Sequence, residues 1–162
     1  MKRLPYIWLL MLLAACSSID CPVNSIVETV YNVYDSVGSE LSLGDTLTVT
    51  STRKDGIDST VLNKLVGKST FNLPISYSHP EDIFVFHFDN NEKDSLHVTD
   101  TVWVKKDDYP HFESVDCNSI FFHTITGIRY TQNYIDSIVI KNPSVTYDHN
   151  TVHFYLYPKS SN

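Results

Sequence analysis

Seven histidines are the side chains of this sequence best suited to bind a metal ion or to transfer a proton. His149 and His153 are four residues apart, but positions i and i+4 of a strand lie about 13 Å apart, too far for both rings to hold one ion. A hairpin turn between the two histidines would change that distance. The other histidines are scattered and form no Cys/His cluster. We therefore expect no metal site and no cofactor.

Acid–base and nucleophilic chemistry has no sequence signature here either. Asp107-Asp108 could supply the two carboxylates of a glycoside hydrolase, but the pair follows a strand-like segment and is more typical of a solvated turn. The sequence contains no Gly-x-Ser-x-Gly motif and no glycine-rich phosphate loop. A Ser-His-Asp triad depends on spatial geometry, which a sequence does not reveal. We expect a protein that is not an enzyme.

Three cysteines, Cys16, Cys21 and Cys117, carry the remaining reactive groups. Cys21 and Cys117 would either pair as one disulfide in an oxidising compartment or stay as two separate thiols. A bridge between them would close a loop of about 100 residues and contribute about 4.7 kcal/mol on the chain-entropy estimate. A catalytic thiol is less expected, because Asp116 beside Cys117 disfavours the thiolate.

The first fifteen residues have the layout of a cleaved export signal. Lys2 and Arg3 give a positive start, and residues 4–13 form an apolar run of about ten residues, too short to span a hydrocarbon core about 30 Å thick. The following residues, Leu13-Ala14-Ala15-Cys16, resemble the bacterial lipobox. That resemblance implies cleavage before Cys16 and lipid on its sulfur. The alternative is an ordinary secretory signal cleaved after small residues.

This interpretation divides the chain into a signal peptide at residues 1–15, a lipidated tether at 16–21 and a domain at 22–162. The whole chain carries a formal charge of −7. Without the signal peptide it would carry 10 basic and 19 acidic residues, a charge of −9. Such a surface repels nucleic acid and anionic lipid headgroups, so nucleic-acid binding is excluded and lipid on Cys16 is the expected route to a membrane.

The rest of the sequence predicts an all-β domain. Short segments rich in β-branched and aromatic residues lie between turn signals, and they predict about eight to ten strands. Their spacing predicts an antiparallel β-sandwich of immunoglobulin-like architecture, with at most one helical turn near residues 61–68. Turns are expected at Asp55-Gly56, at 106–108 and at 148–150. The strand-like segments are 26–34, 45–52, 57–62, 70–75, 83–88, 97–105, 111–115, 119–130, 135–141, 145–147 and 151–157.

Aromatic side chains on the expected outer faces are the candidate ligand-binding residues. In the last strand, Val152, Phe154 and Leu156 would face the core, which places His153, Tyr155 and Tyr157 on the other face. Trp103 would face outward in the same way, because its neighbours Val102 and Val104 would face the core. Aromatic rings with polar tips suit sugar stacking or protein contacts. The alternative is that these rings are ordinary strand formers.

Five short motifs are distinctive: Cys21-Pro22, Tyr31 to Tyr34, Asn72-Leu73-Pro74, the stretch from His111 to Cys117 and Ile135-Asp136-Ser137-Ile138. They resemble small uncharacterised lipoproteins of Bacteroidota, which form a domain family of unknown function. The resemblance implies a cell-envelope β domain with a bridge between Cys21 and Cys117, and it implies no activity. The sequence departs from the family pattern at Asn118, where a glycine would be expected.

The sequence thus predicts a lipoprotein anchored to a bacterial membrane, with the outer membrane favoured. Its expected role is a non-enzymatic module that binds or supports an envelope protein. The alternative is a glycan-binding module that uses the outward aromatics of the last strand.

Overall fold

The computed structural model describes residues 26–52, 56–90, 97–114, 117 and 119–160. These residues form ten β-strands and the turns and loops that connect them. No helix long and apolar enough to span a membrane is found in these residues. The strands are β1 (Glu28–Val33), β2 (Thr46–Thr52), β3 (Asp58–Leu65), β4 (Thr70–Pro74), β5 (Glu81–Asp89), β6 (His97–His111), β7 (Ile120–Tyr130), β8 (Ile135–Ile140), β9 (Ser144–Val145) and β10 (Phe154–Pro158).

Hydrogen bonding divides the strands into two sheets. One sheet has four strands in the order β4-β1-β10-β8, and the other has six in the order β3-β2-β5-β6-β7-β9. The neighbouring strands are antiparallel except β1 and β10, which run parallel with Tyr31 opposite Phe154. The predicted all-β, antiparallel, sandwich-like fold is confirmed, and the immunoglobulin-like topology stays a prediction.

The core lies between the two sheets and is rich in aromatic rings. Phe84, Phe86 and Phe88 alternate along β5 and are buried, and β5 is a central strand of its sheet, between β2 and β6. Tyr31 of the four-stranded sheet stacks on Phe154 at 4.6 Å and meets Phe86 of the other sheet edge-on at 6.1 Å. These contacts join the two layers, and burial raises the pKa of the Tyr31 phenol well above its usual range.

The first predicted hairpin is present. β2 and β3 pair antiparallel, with Thr52 opposite Asp58. Gly56, between them, has a φ of +77°, a conformation that glycine adopts without steric cost. Asp55, the other residue of the predicted turn, lies outside the described residues. The helical turn expected near residues 61–68 is wrong, because β3 continues to Leu65 by pairing with β2.

Two further turn predictions need correction. β6 does not end at 106–108 but continues to His111, so the strand expected to begin at 111 is the end of β6. A bulge between Lys105 and Lys106 shifts the register, after which Asp108 pairs with His123. Residues 148–150 do form a turn, in which Asp148 accepts the backbone N–H of Asn150 at 3.0 Å. The turn does not close a hairpin, because β9 pairs with β7 whereas β10 pairs with β1 and β8 in the other sheet.

A buried aspartate fixes the connection from one sheet to the other. Asp100 of β6 is fully buried, and its carboxylate accepts hydrogen bonds from the Thr131 hydroxyl and from the backbone N–H groups of Asn133, Tyr134 and Ile135. The four donor–acceptor distances are 2.6 to 2.8 Å. The carboxylate therefore holds the turn between β7 and β8 and, with it, the start of β8.

The strands define two ends of the domain. The proximal end is where β1 begins at Glu28, β4 ends at Pro74 and β6 ends at His111. The distal end is where β1 leads into Tyr34 and β10 ends at Pro158, opposite the start of β8. The described chain enters at the proximal end, next to Glu28.

Candidate ligand-binding face

The outer face of the four-stranded sheet carries the predicted tyrosines. Phe154 and Leu156 of β10 are buried in the core, so Tyr155 and Tyr157 point to the opposite, outer side. The predicted division of the last strand into a core face and an aromatic outer face is therefore confirmed for these four residues.

Tyr34, which directly follows β1, joins these two tyrosines. Its ring meets Tyr155 edge-on with centroids 4.6 Å apart and lies 6.1 Å from Tyr157. We call Tyr34, Tyr155 and Tyr157 the tyrosine cluster. Lys141 Nζ lies 5.5 Å from the Tyr155 ring centroid, on the side of β8. Burial, followed by the neighbouring Tyr34, raises the pKa of Tyr155 above that of an ordinary phenol.

Polar side chains continue this face beyond the rings. Asn32 of β1 lies opposite Tyr155 and accepts a hydrogen bond from the Thr70 hydroxyl at 2.9 Å. On the other side of Tyr155, Val139 of β8 is 49% exposed. The row across the four strands is thus polar on the β4 side and apolar on the β8 side.

A cavity of about 450 Å³ opens at the distal end of the tyrosine cluster. Its wall is held in place by the Lys159 ammonium, which donates to the Gln132 carbonyl at 2.6 Å, and by Gln132, which donates to the Asp136 carbonyl. The cavity offers one aromatic ring beside hydroxyl, carboxylate and ammonium groups, a combination that can stack on a ligand and hydrogen-bond to it. The lining residues are Ser36, Asp136, Ser137, Tyr157, Pro158, Lys159 and Ser160.

His153 does not lie on this outer face, and the prediction that it does is wrong. Its side chain is fully buried, and its Nδ1 accepts the backbone N–H of Val30 at 2.9 Å. The His153 backbone N–H in turn donates to the Val30 carbonyl at 2.9 Å. Where β10 begins, the ring thus accepts a backbone hydrogen bond that a backbone carbonyl would accept in a regular sheet. This contact keeps the His153 side chain buried rather than exposed. Burial also lowers the pKa of His153.

Trp103 points outward from β6, as predicted, with Val102 and Val104 buried on the core side. It belongs to the six-stranded sheet, whereas the tyrosine cluster belongs to the four-stranded one. The Arg129 guanidinium lies 4.5 Å from the Trp103 ring centroid and pairs with Glu81 at 2.7 Å. The predicted candidates therefore lie on opposite faces of the domain and do not form one site.

Sequence reasoning missed a buried charge cluster at the proximal end. The Lys106 ammonium is fully buried and lies 3.2 Å from Asp108, 3.7 Å from Asp82 and within hydrogen-bond distance of the His79 carbonyl. Asp108 also bonds to Nδ1 of His123 at 2.6 Å. Asp82, Lys106, Asp108 and His123 form this cluster.

Burial shifts the pKa values of two members of the buried charge cluster, Asp82 and His123. It raises the pKa of Asp82 and lowers the pKa of His123, in the latter case against the opposing effect of Asp108. The signal was present in the sequence, because Val102, Val104, Lys106 and Asp108 continue one alternation along β6. Reading that alternation through the charged residues would have placed them in the interior.

The predicted lipid and disulfide sites are not described. Cys16 and Cys21 lie outside the described residues, so lipidation and the bridge between Cys21 and Cys117 stay predictions. Cys117 follows β6, and its backbone N–H donates to the Ser114 carbonyl at 3.2 Å. Within the ranges that the structure describes, no group of three His, Cys, Asp or Glu side chains is placed to hold a metal ion.

These features define a sandwich-like β domain with an aromatic outer face and a polar cavity beside it. Residues 46–158 match the family model DUF6452, described as a family of unknown function. The chain belongs to that family. No curated protein matches the chain, and no solved structure does. Tyr155, Tyr157 and Asp136 lie within the matched region, whereas Tyr34 precedes it.

Proposed function

We propose that the chain is a lipoprotein of the bacterial cell envelope, anchored by lipid on Cys16, and that it is a non-enzymatic module that binds a neutral glycan. The outer membrane is the favoured location. The observation that carries the glycan proposal is the tyrosine cluster next to a cavity lined by hydroxyl and carboxylate groups.

The chemistry of this face suits a sugar. The Tyr157 ring lines the cavity, and the C–H face of a pyranose stacks on such a ring while its hydroxyls bond to polar neighbours. Asp136, Ser137 and Ser160 supply acceptors and donors around it. The cavity volume of about 450 Å³ is within the usual range for small-ligand sites. A neutral sugar is favoured because the chain without its signal peptide would carry a charge of −9.

The same cavity supports a binding role over hydrolysis. Glycoside hydrolysis requires two carboxylates that face each other across the bond that is cleaved. Among the described residues, Asp136 is the one acid that lines this cavity. At the proximal end, Asp108 does orient His123, but the buried Lys106 ammonium neutralises that carboxylate. This arrangement supports a structural role for the buried charge cluster.

A protein partner is the second candidate, and the β8 edge favours it. β8 is the last strand of the four-stranded sheet in the described chain, and it exposes Val139 beside Tyr155. An added strand from a partner could pair with such an edge, while its side chains contact the exposed valine. Replacing Val139 by lysine would then reduce partner binding and leave glycan binding in place.

Affinity electrophoresis tests the glycan proposal. The chain without residues 1–15 is run through native gels that contain a neutral polysaccharide such as dextran, xylan or β-glucan. At least one of these is expected to retard the protein. The Tyr157→Ala variant is expected to lose about tenfold in affinity, the order of magnitude for one stacked aromatic ring. The matched control is Tyr109→Ala, which removes an exposed tyrosine of the other sheet. Equal retardation of the two variants, or no retardation of the parent, would refute the proposal.

Protease treatment of intact cells tests the anchor, with Cys16→Ala as the control. Wild-type protein is expected in the membrane fraction and the variant in the soluble fraction. Digestion in intact cells would indicate the cell surface, whereas protection until the outer membrane is opened would indicate a periplasm-facing anchor. A variant that stays with the membrane would refute lipidation of Cys16.

A further inference from the structure

The four most exposed aromatic side chains of the described residues all lie at the proximal end. Tyr77 and Phe112 are each 66% exposed, Tyr109 is 51% exposed and Tyr147 is 39% exposed. Tyr77 lies between β4 and β5, and Phe112 follows β6, so both come from connections at this end. Ile26, which precedes β1, adds an exposed aliphatic side chain. We call these five residues the proximal rim.

Two residues of the proximal rim, Tyr77 and Tyr147, are held in position by aromatic contacts. Tyr77 stacks on Phe121 of β7, with ring centroids 4.7 Å apart and planes at 11°. Tyr147 packs edge-on against Phe122 at 5.3 Å, and its hydroxyl donates to Glu113 at 2.9 Å. The fold therefore presents the rings of Tyr77 and Tyr147 in fixed positions, although both are exposed to solvent.

The chain outside the described residues connects to this end. Ile26 lies at the proximal rim and lines an apolar groove with Ile75, Tyr77 and Phe121. Ten residue steps separate Cys16 from Ile26, and a fully extended chain of that length spans at most about 36 Å. A lipid on Cys16 would therefore attach the domain to the bilayer through its proximal end and hold that end within about 36 Å of the membrane, so the proximal rim can reach the surface.

We propose that the proximal rim inserts its aromatic side chains into the interface of the membrane that holds the lipid anchor. This inference rests on the proposed anchor at Cys16. Tyrosine is enriched at bilayer interfaces, because its ring enters the apolar boundary while its hydroxyl stays at the headgroups. The occupant is a zwitterionic bilayer, since the acidic chain is repelled by anionic headgroups.

The docked orientation agrees with the position of the cavity. β1 runs from Glu28 at the proximal end toward Tyr34 at the distal end, a distance of roughly 20 Å at about 3.3 Å per residue. The cavity beside Tyr157 opens at that distal end. Contact of the proximal rim with the bilayer would thus direct the candidate glycan site away from the membrane surface.

Depth-dependent fluorescence quenching tests this orientation. The lipidated chain, which begins at Cys16 after cleavage, is purified from bacterial membranes and reconstituted in phosphatidylcholine vesicles that carry a nitroxide at the headgroup depth. A single tryptophan is introduced by Phe112→Trp, or independently by Tyr77→Trp, in a Trp103→Phe background. The matched control is Val37→Trp, which replaces the 83% exposed residue at the distal end. Quenching in the two proximal variants is expected to exceed the control by at least about threefold.

The outcomes separate the docking inference from the anchor. Flotation with the vesicles and strong quenching in the proximal variants alone would support both. Flotation with equal quenching in proximal and distal variants would overturn the docking and leave the anchor intact. Failure of all variants to float with vesicles would overturn the anchor and the docking together. Addition of anionic lipid is expected to lower the proximal quenching, and an increase would contradict the charge argument.

Discussion

Asp100 accepts four hydrogen bonds while fully buried, so its replacement by asparagine tests how the two sheets are joined. The new amide can turn its nitrogen toward Thr131, whose hydroxyl would then accept instead of donating. In that orientation the backbone N–H of Asn133 loses its partner, at a cost of about 1–3 kcal/mol. The bonds from Tyr134 and Ile135 remain but lose the charge on the acceptor, which costs about 1 kcal/mol each.

Release of the buried charge offsets part of this loss, so Asp100→Asn is expected to lower the free energy of unfolding by about 3 kcal/mol. Asp100→Ala removes all four acceptor contacts and is expected to cost more. In a protein of this size, 3 kcal/mol corresponds to a fall in Tm of about 6–12 °C.

Urea denaturation followed by circular dichroism measures both effects. The matched control is Asp107→Asn, which removes a carboxylate from the exposed face of the same strand and is expected to stay within about 0.5 kcal/mol of wild type. If Asp100→Asn were as stable as this control, the carboxylate would not hold the turn between β7 and β8. A changed m-value in place of a lower midpoint would show that the variant alters the denatured state instead.

Three more predictions concern other contacts. Burial lowers the pKa of His153, so below about pH 6.5 the unfolded chain binds a proton that the folded chain does not bind, and the free energy of unfolding falls. The His153→Asn variant keeps an acceptor near the position of Nδ1. Its urea midpoint is expected to shift less than that of wild type between about pH 7.5 and about pH 5.5. Lys106→Met leaves the buried Asp82 and the half-buried Asp108 without their cation and is expected to cost about 3–5 kcal/mol in thermal or urea unfolding, while Lys105→Met on the exposed side has little effect. Tyr34→Ala removes a neighbour of the cavity ring without removing that ring, so it is expected to weaken polysaccharide retardation less than Tyr157→Ala, and the reverse order would place the sugar elsewhere on the cluster.

Much of the fold could be predicted because its strands alternate regularly. The spacing of Phe84, Phe86 and Phe88 places them on one face of a strand, and the same period places Tyr155 and Tyr157 on the outer face of the last strand. These predictions use only local geometry, since side chains two residues apart share a face of a strand.

The errors have a common physical origin in contacts between distant parts of the chain. The burial of His153 depends on a hydrogen bond to Val30, which lies 123 residues earlier. Likewise, Trp103 and the tyrosine cluster lie on opposite faces because their strands belong to different sheets, which the spacing along the sequence does not specify. The pairing of strands, and thus which outward residues meet, is set by tertiary packing that one sequence does not display.

The parallel pairing of β1 with β10 also has a consequence for the order of folding. β1 lies between β4 and β10, so the four-stranded sheet needs a segment from each extreme of the described chain. The Tyr31–Phe154 stack at its centre can form only after the chain has been made as far as β10. Pairings over such long sequence separations fold slowly. A chain that crosses a membrane during export would therefore pass through the translocation channel without half of its sandwich, and would complete that half only on the far side.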